Sequence, residues 1–153
     1  MATDKRNDPF RGFNFRVEID GLAVAAFSEV SGLIVDGEVA DYREGTDRLN
    51  SVRRLSGLRT HKQPIVLKRG FTKDDTFWQW YARIAAGEDD RRNGSVILMN
   101  EAHKDVMRWN FENAWINKIE GPSLKAAGNE LAIEGMEIVH EGIMIELEPA
   151  PAA

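Results

Sequence analysis

Apolar residues recur at every second position over several short stretches of the chain, a spacing that predicts half-buried β-strands. The clearest stretch is Phe13–Asp20, where four apolar side chains share one face. Glycines interrupt the two stretches that follow, so bends or bulges are expected at Gly32 and Gly37. The predicted strands are Phe13–Asp20, Ala23–Leu33, Ile34–Glu44, Gln63–Gly70, Ser95–Asn100, Val106–Ala114 and two within Asn129–Glu148 that turn near Glu141–Gly142.

One stretch has a longer period and predicts a helix over Lys73–Ala86. Phe77, Trp80, Tyr81 and Ile84 fall at positions i, i+3, i+4 and i+7, so they should form a single buried stripe. The expected start and stop signals are Thr72 as N-cap, Asp74 and Asp75 in the first turn, and Gly87 after the last turn.

In the strand predicted within Asn129–His140, the apolar residues change from one face of the strand to the other. The apolar residues before Gly135 share one face, whereas Met136 and Ile138 share the other. A slip at Gly135 predicts a β-bulge or a strand with apolar residues on both faces.

In total, seven or eight short strands and one helix favour a mainly β fold, a barrel or sandwich with one packed helix. A single domain is expected over residues 1–153, with frayed ends.

A long basic segment, Tyr42–Lys62, separates two of the predicted strands and is called the arm below. It holds six Lys or Arg against two acidic residues, and only five of its residues are bulky and apolar. Most connections in compact domains have about 4–6 residues, so an arm of this length is expected to be functional. Because it has little apolar surface, we expect it to become ordered only on assembly.

The charge of the chain is unevenly placed. The net charge is −5, with +1 on residues 1–75 and −6 on residues 76–153, and residues 129–148 contain six Glu and no Lys or Arg. A basic arm and an acidic end on one chain favour head-to-tail contact between copies, which closes into rings or propagates as a filament. The candidate contact residues are Arg43, Arg48, Leu49, Val52, Arg53, Arg54, Leu55, Leu58 and Arg59 in the arm, and Glu130, Glu134, Glu137 and Glu141 near the end.

The sequence contains no motif that predicts catalysis, a cofactor or a metal. It has no cysteine, and its histidines, His61, His103 and His140, lack metal-site spacing, so each is interpreted as a surface or edge residue. Asn93-Gly94-Ser95 is interpreted as a turn.

No signal peptide is visible and no apolar run approaches the ~20 residues of a membrane helix, so assembly in the cytoplasm without membrane anchoring is expected.

Several segments together resemble the tail tube proteins of contractile-tailed phages, and most closely their relatives in extracellular contractile injection systems. The resemblance covers about Asp8 to Glu146, with small departures at Ile116, where proline is expected, and at Lys125, where asparagine is expected. The segments that carry it are DPFRGFNFRVEIDG, FSEVSGL, YREGTD, LSGL, LKRGFT, FWQWY, RRNGSVIL and RWNFENAWINKIEGPSLKAAGNELAIEGMEIVHEG.

The resemblance implies a structural protein, not an enzyme, with a fold akin to the haemolysin-coregulated protein of type VI secretion. Hexameric rings would enclose a continuous β-lined channel and stack into an inner tube, with the arm reaching a neighbouring ring. Implied partners are a sheath, baseplate or spike and terminator proteins, with protein effectors or DNA as cargo. Tubes would assemble in the producing cell and then form part of a phage tail or extracellular particle.

The alternative is a monomeric β-domain that binds an anionic ligand, such as nucleic acid, through the arm, whose net charge is +4 over residues 43–62. The two hypotheses differ in what the purified protein should form. Rings or tubes support the first hypothesis, whereas a monomer that binds DNA in a salt-sensitive way supports the second.

Overall fold

Nine strands and one helix form the described part of the chain, which in this computed structural model comprises residues 12, 14–22, 27–71, 73–128 and 131–147. Phe13, Thr72 and Glu130, for which the sequence made predictions, lie outside the described residues. The elements are β1 (Phe15–Ile19), β2 (Glu29–Ser31), β3 (Gly37–Tyr42), β4 (Arg53–Arg59), β5 (Ile65–Gly70), α1 (Thr76–Ala85), β6 (Arg92–Met99), β7 (Asp105–Glu120), β8 (Ile133–Val139) and β9 (Gly142–Leu147).

Two antiparallel sheets share the long strand β7. In the first sheet the order is β1-β6-β7-β9, and β9 pairs with Met107–Glu112 of β7. In the second sheet the order is β7-β8-β5-β2, and β8 pairs with Trp115–Glu120 of β7. The mainly β fold with one helix is therefore confirmed, and its form is an open sandwich whose sheets do not close into a barrel.

A bulge between β6 and β7 lies where β7 passes from the first sheet to the second. Arg92 pairs with Ala114 and Gly94 pairs with Phe111, so two residues of β7 lie opposite one residue of β6. One of the two is Asn113, which has φ 50° and donates its amide hydrogen to the side chain of Asn93 at 3.0 Å. Asparagine tolerates this left-handed conformation, and a bulge increases the local twist, which turns β7 toward the second sheet.

Asn93-Gly94-Ser95 lies inside β6, so its interpretation as a turn was wrong. The glycine is required by close packing, because a Cβ atom at Gly94 would lie 2.4 Å from the ring of Phe111 and 2.7 Å from the carbonyl oxygen of Glu18. The small residue in this sequence thus marks close approach of β1, β6 and β7, and not a change of chain direction.

The hydrophobic core lies between the two sheets and under the helix. Alternate residues of the strands point into it, which explains the period of two in the sequence. All of the core residues are less than a tenth exposed: Val17, Ile19, Ile65, Leu67, Phe77, Trp80, Val96, Phe111, Ala114, Ile116, Met136, Ile138 and Ile143.

The predicted helix is confirmed, but it begins later and buries less of its stripe than expected. Asp74 and Asp75 precede the helix, and Asp74 accepts a hydrogen bond from the amide of Thr76 at 3.1 Å. Gly87, with φ 90°, ends it as predicted. Phe77 and Trp80 are buried and Ile84 packs partly on the core, whereas Tyr81 is 37% exposed.

The bulge expected at Gly135 is absent, because β8 pairs with β5 in unbroken register from Ile133 to Ile138. The even-numbered residues of β8 all point inward, and Glu134 takes the inward position that looked like a break in the pattern. Ile133 points outward and is 51% exposed. The strand therefore has one regular buried face with a charged residue in it.

The arm contributes the second strand of a β-hairpin, whose first strand ends where the arm begins, so its prediction as one long connection between strands was wrong. β3 and β4 pair antiparallel, with Tyr42 opposite Arg53 and Ala40 opposite Leu55, and with a bulge between Gly37 and Val39 as expected for this glycine. Only residues 43–52 form the connection between the two strands. The hairpin forms a separate two-stranded sheet that pairs with no strand of the sandwich among the described residues.

Candidate functional site

The connection at the tip of the arm is held by short-range polar contacts. Asp47 accepts hydrogen bonds from the amide of Glu44 at 3.0 Å and from the guanidinium group of Arg53 at 2.8 Å. The hydroxyl of Tyr42 donates to Glu44 at 3.1 Å. These bonds account for both acids of the arm and give the tip a defined conformation.

The arginines of the arm fall into two groups. Arg53 pairs with Asp47, and Arg54 lies 3.5 Å from Asp41 on the opposite strand, so both have partners in their own hairpin. No ion pair within the described part of the chain involves Arg43, Arg48 or Arg59, all of which are exposed. Together with the exposed Lys62, these three provide the positive charge of the arm that remains available to a partner.

The apolar residues of the arm are exposed. Leu49 and Leu58 are 73% and 76% exposed, and Val52 and Leu55 are each half exposed. Every residue of β4 is exposed, so neither face of the hairpin packs on a core. A two-stranded hairpin with no packed face is at best marginally stable in water, so this geometry fits a surface that another chain covers.

Several strand edges of the sandwich are also uncovered. Among the described strands, β1, β2 and β9 each pair on one side only, as does Trp115–Glu120 of β7. Unpaired edges expose backbone hydrogen-bonding groups and favour pairing with another chain. Exposed apolar side chains lie at two of these places, all at least half exposed: Met144, Ile145 and Leu147 on β9, and Leu131 and Ile133 at the start of β8.

The strand β9 was predicted, but its exposed apolar residues were not. Its sequence GIMIEL has apolar residues on both faces, which points to two covered faces. In the single chain only Ile143 is buried, while Met144 is 75% exposed. The outer side of β9 therefore joins the arm as a second candidate contact surface.

The acidic candidates are mostly engaged within the chain. Glu134 is 1% exposed and forms a salt bridge with Arg69, so it is unavailable to a neighbour, and its assignment as a surface contact was wrong. Glu141 forms an ion pair with Arg91, and Glu137 lies opposite Lys118 on the outer face of the second sheet. Glu134, Glu137 and Glu141 thus each have a cation beside them, which a neighbouring strand or turn supplies.

Arg69 is the centre of a buried cluster that joins the helix to the second sheet. Besides Glu134, its guanidinium group contacts the carboxylate of Asp74 at 3.2 Å and the main-chain oxygen of the same residue at 3.1 Å. It also lies 5.1 Å above the centre of the Phe77 ring and 5.8 Å from that of Phe27. The amide of Thr76 lowers the pKa of Asp74, and Arg69 lowers it further against the effect of desolvation.

Two histidines meet where the arm joins the sandwich. His61 follows β4 in a left-handed conformation with φ 45°, and its ring centre lies 5.4 Å from that of His140 between β8 and β9. His140 is only 3% exposed, so its interpretation as a surface or edge residue was wrong. Its neighbours in sequence gave no indication of burial, because Glu141 and Gly142 read as an exposed turn.

The described residues contain no group of three or more His, Asp or Glu that could hold a metal ion. No helix among them is long and apolar enough to span a membrane. What the structure does bring together is a projecting hairpin, unpaired strand edges and exposed apolar side chains. This arrangement is suited to repeated contact between protein chains.

Comparisons with solved structures show the same fold in injection machines. A chain of an extracellular contractile injection system, in the PVC sheath–tube complex in its extended state, matches with a TM-score of 0.81 and 22% identity, over 92% of this chain and 93% of that chain. A chain of the anti-feeding prophage tube-terminating cap matches with a TM-score of 0.85 and 23% identity, over 96% and 97%.

More distant similarity extends to type VI secretion proteins. Hcp1 from Flavobacterium johnsoniae matches with a TM-score of 0.51 and 14% identity, over 88% of this chain and 95% of that one. No curated protein sequence matches the chain significantly. A family model, that of the T4-like virus tail tube protein gp19, matches residues 11–144. With most of its length matched, the chain belongs to this tail tube protein family.

Proposed function

We propose that the chain is the inner tube subunit of a contractile injection machine, in which hexameric rings stack head to tail around a hollow channel. The observation that carries the proposal is the hairpin β3–β4, which projects from the sandwich with both of its faces exposed. Because such a hairpin buries nothing in its own subunit, contact with a neighbouring ring would supply its stabilisation.

Rings form through the sandwich. The unpaired edges of β1, β2, β9 and the second half of β7 allow sheets of adjacent subunits to join into a continuous wall. The exposed apolar residues of β9, such as Met144, would then be covered by the neighbour. The contact is heterologous, since it joins different surfaces of two adjacent subunits. Repeating it with a constant rotation between subunits gives a ring when the sixth subunit meets the first.

The partners follow from the machines in which similar chains occur. The similar structures include a sheath–tube complex, a baseplate and a sheath/tube terminator. In the proposed machine the tube lies inside a sheath, between a baseplate and a terminator, and conducts protein effectors or DNA. It assembles in the cytoplasm of the producing cell and leaves as part of a phage tail or an injection particle. The chain performs no catalysis in this role.

Negative-stain microscopy of the purified protein tests the proposal. Rings with six-fold symmetry, or tubes of constant diameter, are the expected result. A monodisperse monomer that binds DNA with strong salt dependence would contradict it and would support the alternative of an anion-binding domain, since phosphate contacts by Arg and Lys weaken as salt rises.

Stacking should depend more on the apolar residues of the arm than on its charges. Full burial of a leucine side chain contributes about 1.5–3 kcal/mol, whereas an exposed ion pair contributes about 0–1 kcal/mol. The double variant Leu49→Ser, Leu58→Ser should therefore yield rings and no long tubes. The double variant Arg48→Glu, Arg59→Glu should shorten tubes, with the largest effect at low salt. Tube length distributions from micrographs measure both.

The loop after β7 supplies matched controls. Leu124 is 78% exposed and Lys125 is also exposed, and the variants Leu124→Ser and Lys125→Glu change the same chemistry away from the arm. Their tubes should have normal length. Tubes of normal length from both arm variants would show that the hairpin does not join rings, while circular dichroism would establish that the variants are folded.

A further inference from the structure

We propose that His61 and His140 form a pH-dependent latch, which holds the root of the arm against the sandwich at neutral pH and releases it on acidification. The root is the segment 60–64, which connects the end of β4 to the start of β5. The latch itself is a property of the single subunit. Its consequence for tubes rests on the proposed function, in which the arm joins rings.

The geometry places the buried imidazole of His140 beside the partly buried imidazole of His61, at the point where the second strand of the hairpin enters the sandwich. Their ring centres are 5.4 Å apart with an angle of 53° between the planes. Within the described part of the chain, no partner forms a well-oriented hydrogen bond with either ring nitrogen of His140 or with Nδ1 of His61, and all three atoms are buried. A neutral His140 ring tolerates this contact, whereas a charged ring would lose hydration by its burial.

Protonation therefore opposes the packed state. Burial lowers the pKa of His140, and the adjacent His61 lowers it further, while the nearby backbone of Gly142 partly offsets both. Because the folded pKa lies below the ordinary value of about 6.5, the open state binds the proton more tightly. The packing of the latch is thus fully stable above about pH 6.5 and weakens as the pH falls below that value.

The other side of the His61 ring faces a polar environment. The ring lines a cavity of about 680 Å³ between the root of the arm and the first sheet. Four carboxylates and two guanidinium groups line this cavity. These charged groups are Glu18 and Asp20 of β1 and the turn after it, Arg59 of β4, Arg108 and Glu112 of β7, and Glu141 between β8 and β9. Glu18 and Glu141 are paired with Arg16 and Arg91, whereas Asp20 and Glu112 form no ion pair within the described part of the chain.

The backbone at the root favours release once the rings separate. His61 has a left-handed φ of 45°, a conformation that is unfavourable for a residue with a Cβ atom and that persists only where surrounding contacts impose it. A side-chain hydrogen bond from Thr60 to Asp36, at 3.4 Å, is a further contact at the root. Loss of the ring contact would allow residue 61 to leave this conformation and the hairpin to change its angle to the sandwich.

Nuclear magnetic resonance of the soluble labelled subunit, titrated from about pH 7.5 to about pH 5, tests the latch directly. The ring carbons of His140 should titrate with a midpoint below about 6.5, and the amide signals of residues 58–63 should move with the same midpoint. His140→Phe keeps a ring in place and should abolish the movement of the amides, and His61→Phe should do the same. His103→Asn, at the turn between β6 and β7, should leave it unchanged.

Amide signals at the root that do not follow His140, or that still follow pH in both phenylalanine variants, would overturn the latch. In assembled tubes, acidification should shorten wild-type tubes but not tubes of His140→Phe. If no tubes form at any pH, the proposed function fails, while the subunit titration still decides whether the latch exists.

Discussion

Glu134→Ala should lower the free energy of unfolding of the subunit by about 3–5 kcal/mol, because it leaves the guanidinium group of Arg69 buried with an incomplete set of partners. The two side chains are 5% and 1% exposed, so solvent cannot replace the lost carboxylate. Asp74 remains at 3.2 Å from Arg69, but it lies at the surface and is 41% exposed. Urea denaturation, followed by tryptophan fluorescence, measures the loss.

Glu137→Ala is the matched control, because it removes the same side chain from the outer face of the same strand. It should change stability by no more than about 0.5 kcal/mol. The double variant Arg69→Met, Glu134→Leu should be more stable than Glu134→Ala, since apolar side chains of similar volume often replace a buried ion pair without loss. Equal stability of Glu134→Ala and Glu137→Ala would show that the buried pair contributes nothing.

Trp80→Ala should destabilise the subunit by roughly 3–5 kcal/mol, the usual cost of truncating a buried aromatic side chain. Trp80 has no exposed surface, and it contacts Phe77 at 6.4 Å between ring centres. Its indole nitrogen donates to the carbonyl oxygen of Asp90 at 2.8 Å, and the guanidinium group of Arg92 lies 5.4 Å from its ring centre. The variant therefore loses core packing together with a link between the helix and the start of β6. The midpoint of thermal unfolding is the measurement.

Trp78→Ala provides the comparison within the same helix. Trp78 lies off the buried stripe and is 43% exposed, so the stability of the isolated subunit should change by far less. If both tryptophan variants destabilise the subunit to the same degree, the helix does not pack as the structure shows. If Trp80→Ala keeps full stability but prevents assembly, the helix is a contact surface and not part of the core.

The elements of the sandwich could be predicted from the sequence because local patterns determine them. Alternation of apolar residues located β1, β5 and the strands after the helix, and the spacing of Phe77, Trp80 and Ile84 located α1. Gly87 marked the end of the helix because its φ of 90° suits glycine. The family resemblance then gave the arrangement of these elements, which periodicity alone does not determine.

Properties that depend on contacts between distant residues could not be predicted in the same way. Glu134 interrupts the apolar pattern of β8, and only the position of Arg69 opposite it makes a buried glutamate acceptable. The sequence therefore appeared to slip at Gly135. His140 is similar, because its burial depends on His61, which lies 79 residues earlier in the chain.

The segment that forms the candidate site was predicted from the sequence, but its secondary structure was not. The long basic arm was identified from its length and charge, yet the strand β4 within it went unrecognised because β4 has no alternation of buried and exposed residues. The two strands of the hairpin are held by backbone pairing, which side-chain periodicity does not report. The charge contrast was also visible, but the local partners of Glu137 and Glu141 required the strand register.

The sharing of β7 between both sheets has a mechanical consequence. Its sixteen residues form one continuous strand that is bulged at Asn113, with Met107–Glu112 in one sheet and Trp115–Glu120 in the other. The two sheets are thus joined through the backbone of a single strand as well as through the core. A load applied to one side of the subunit is therefore carried covalently to the other side, and the wall of a tube built from such subunits would resist shear as a single layer.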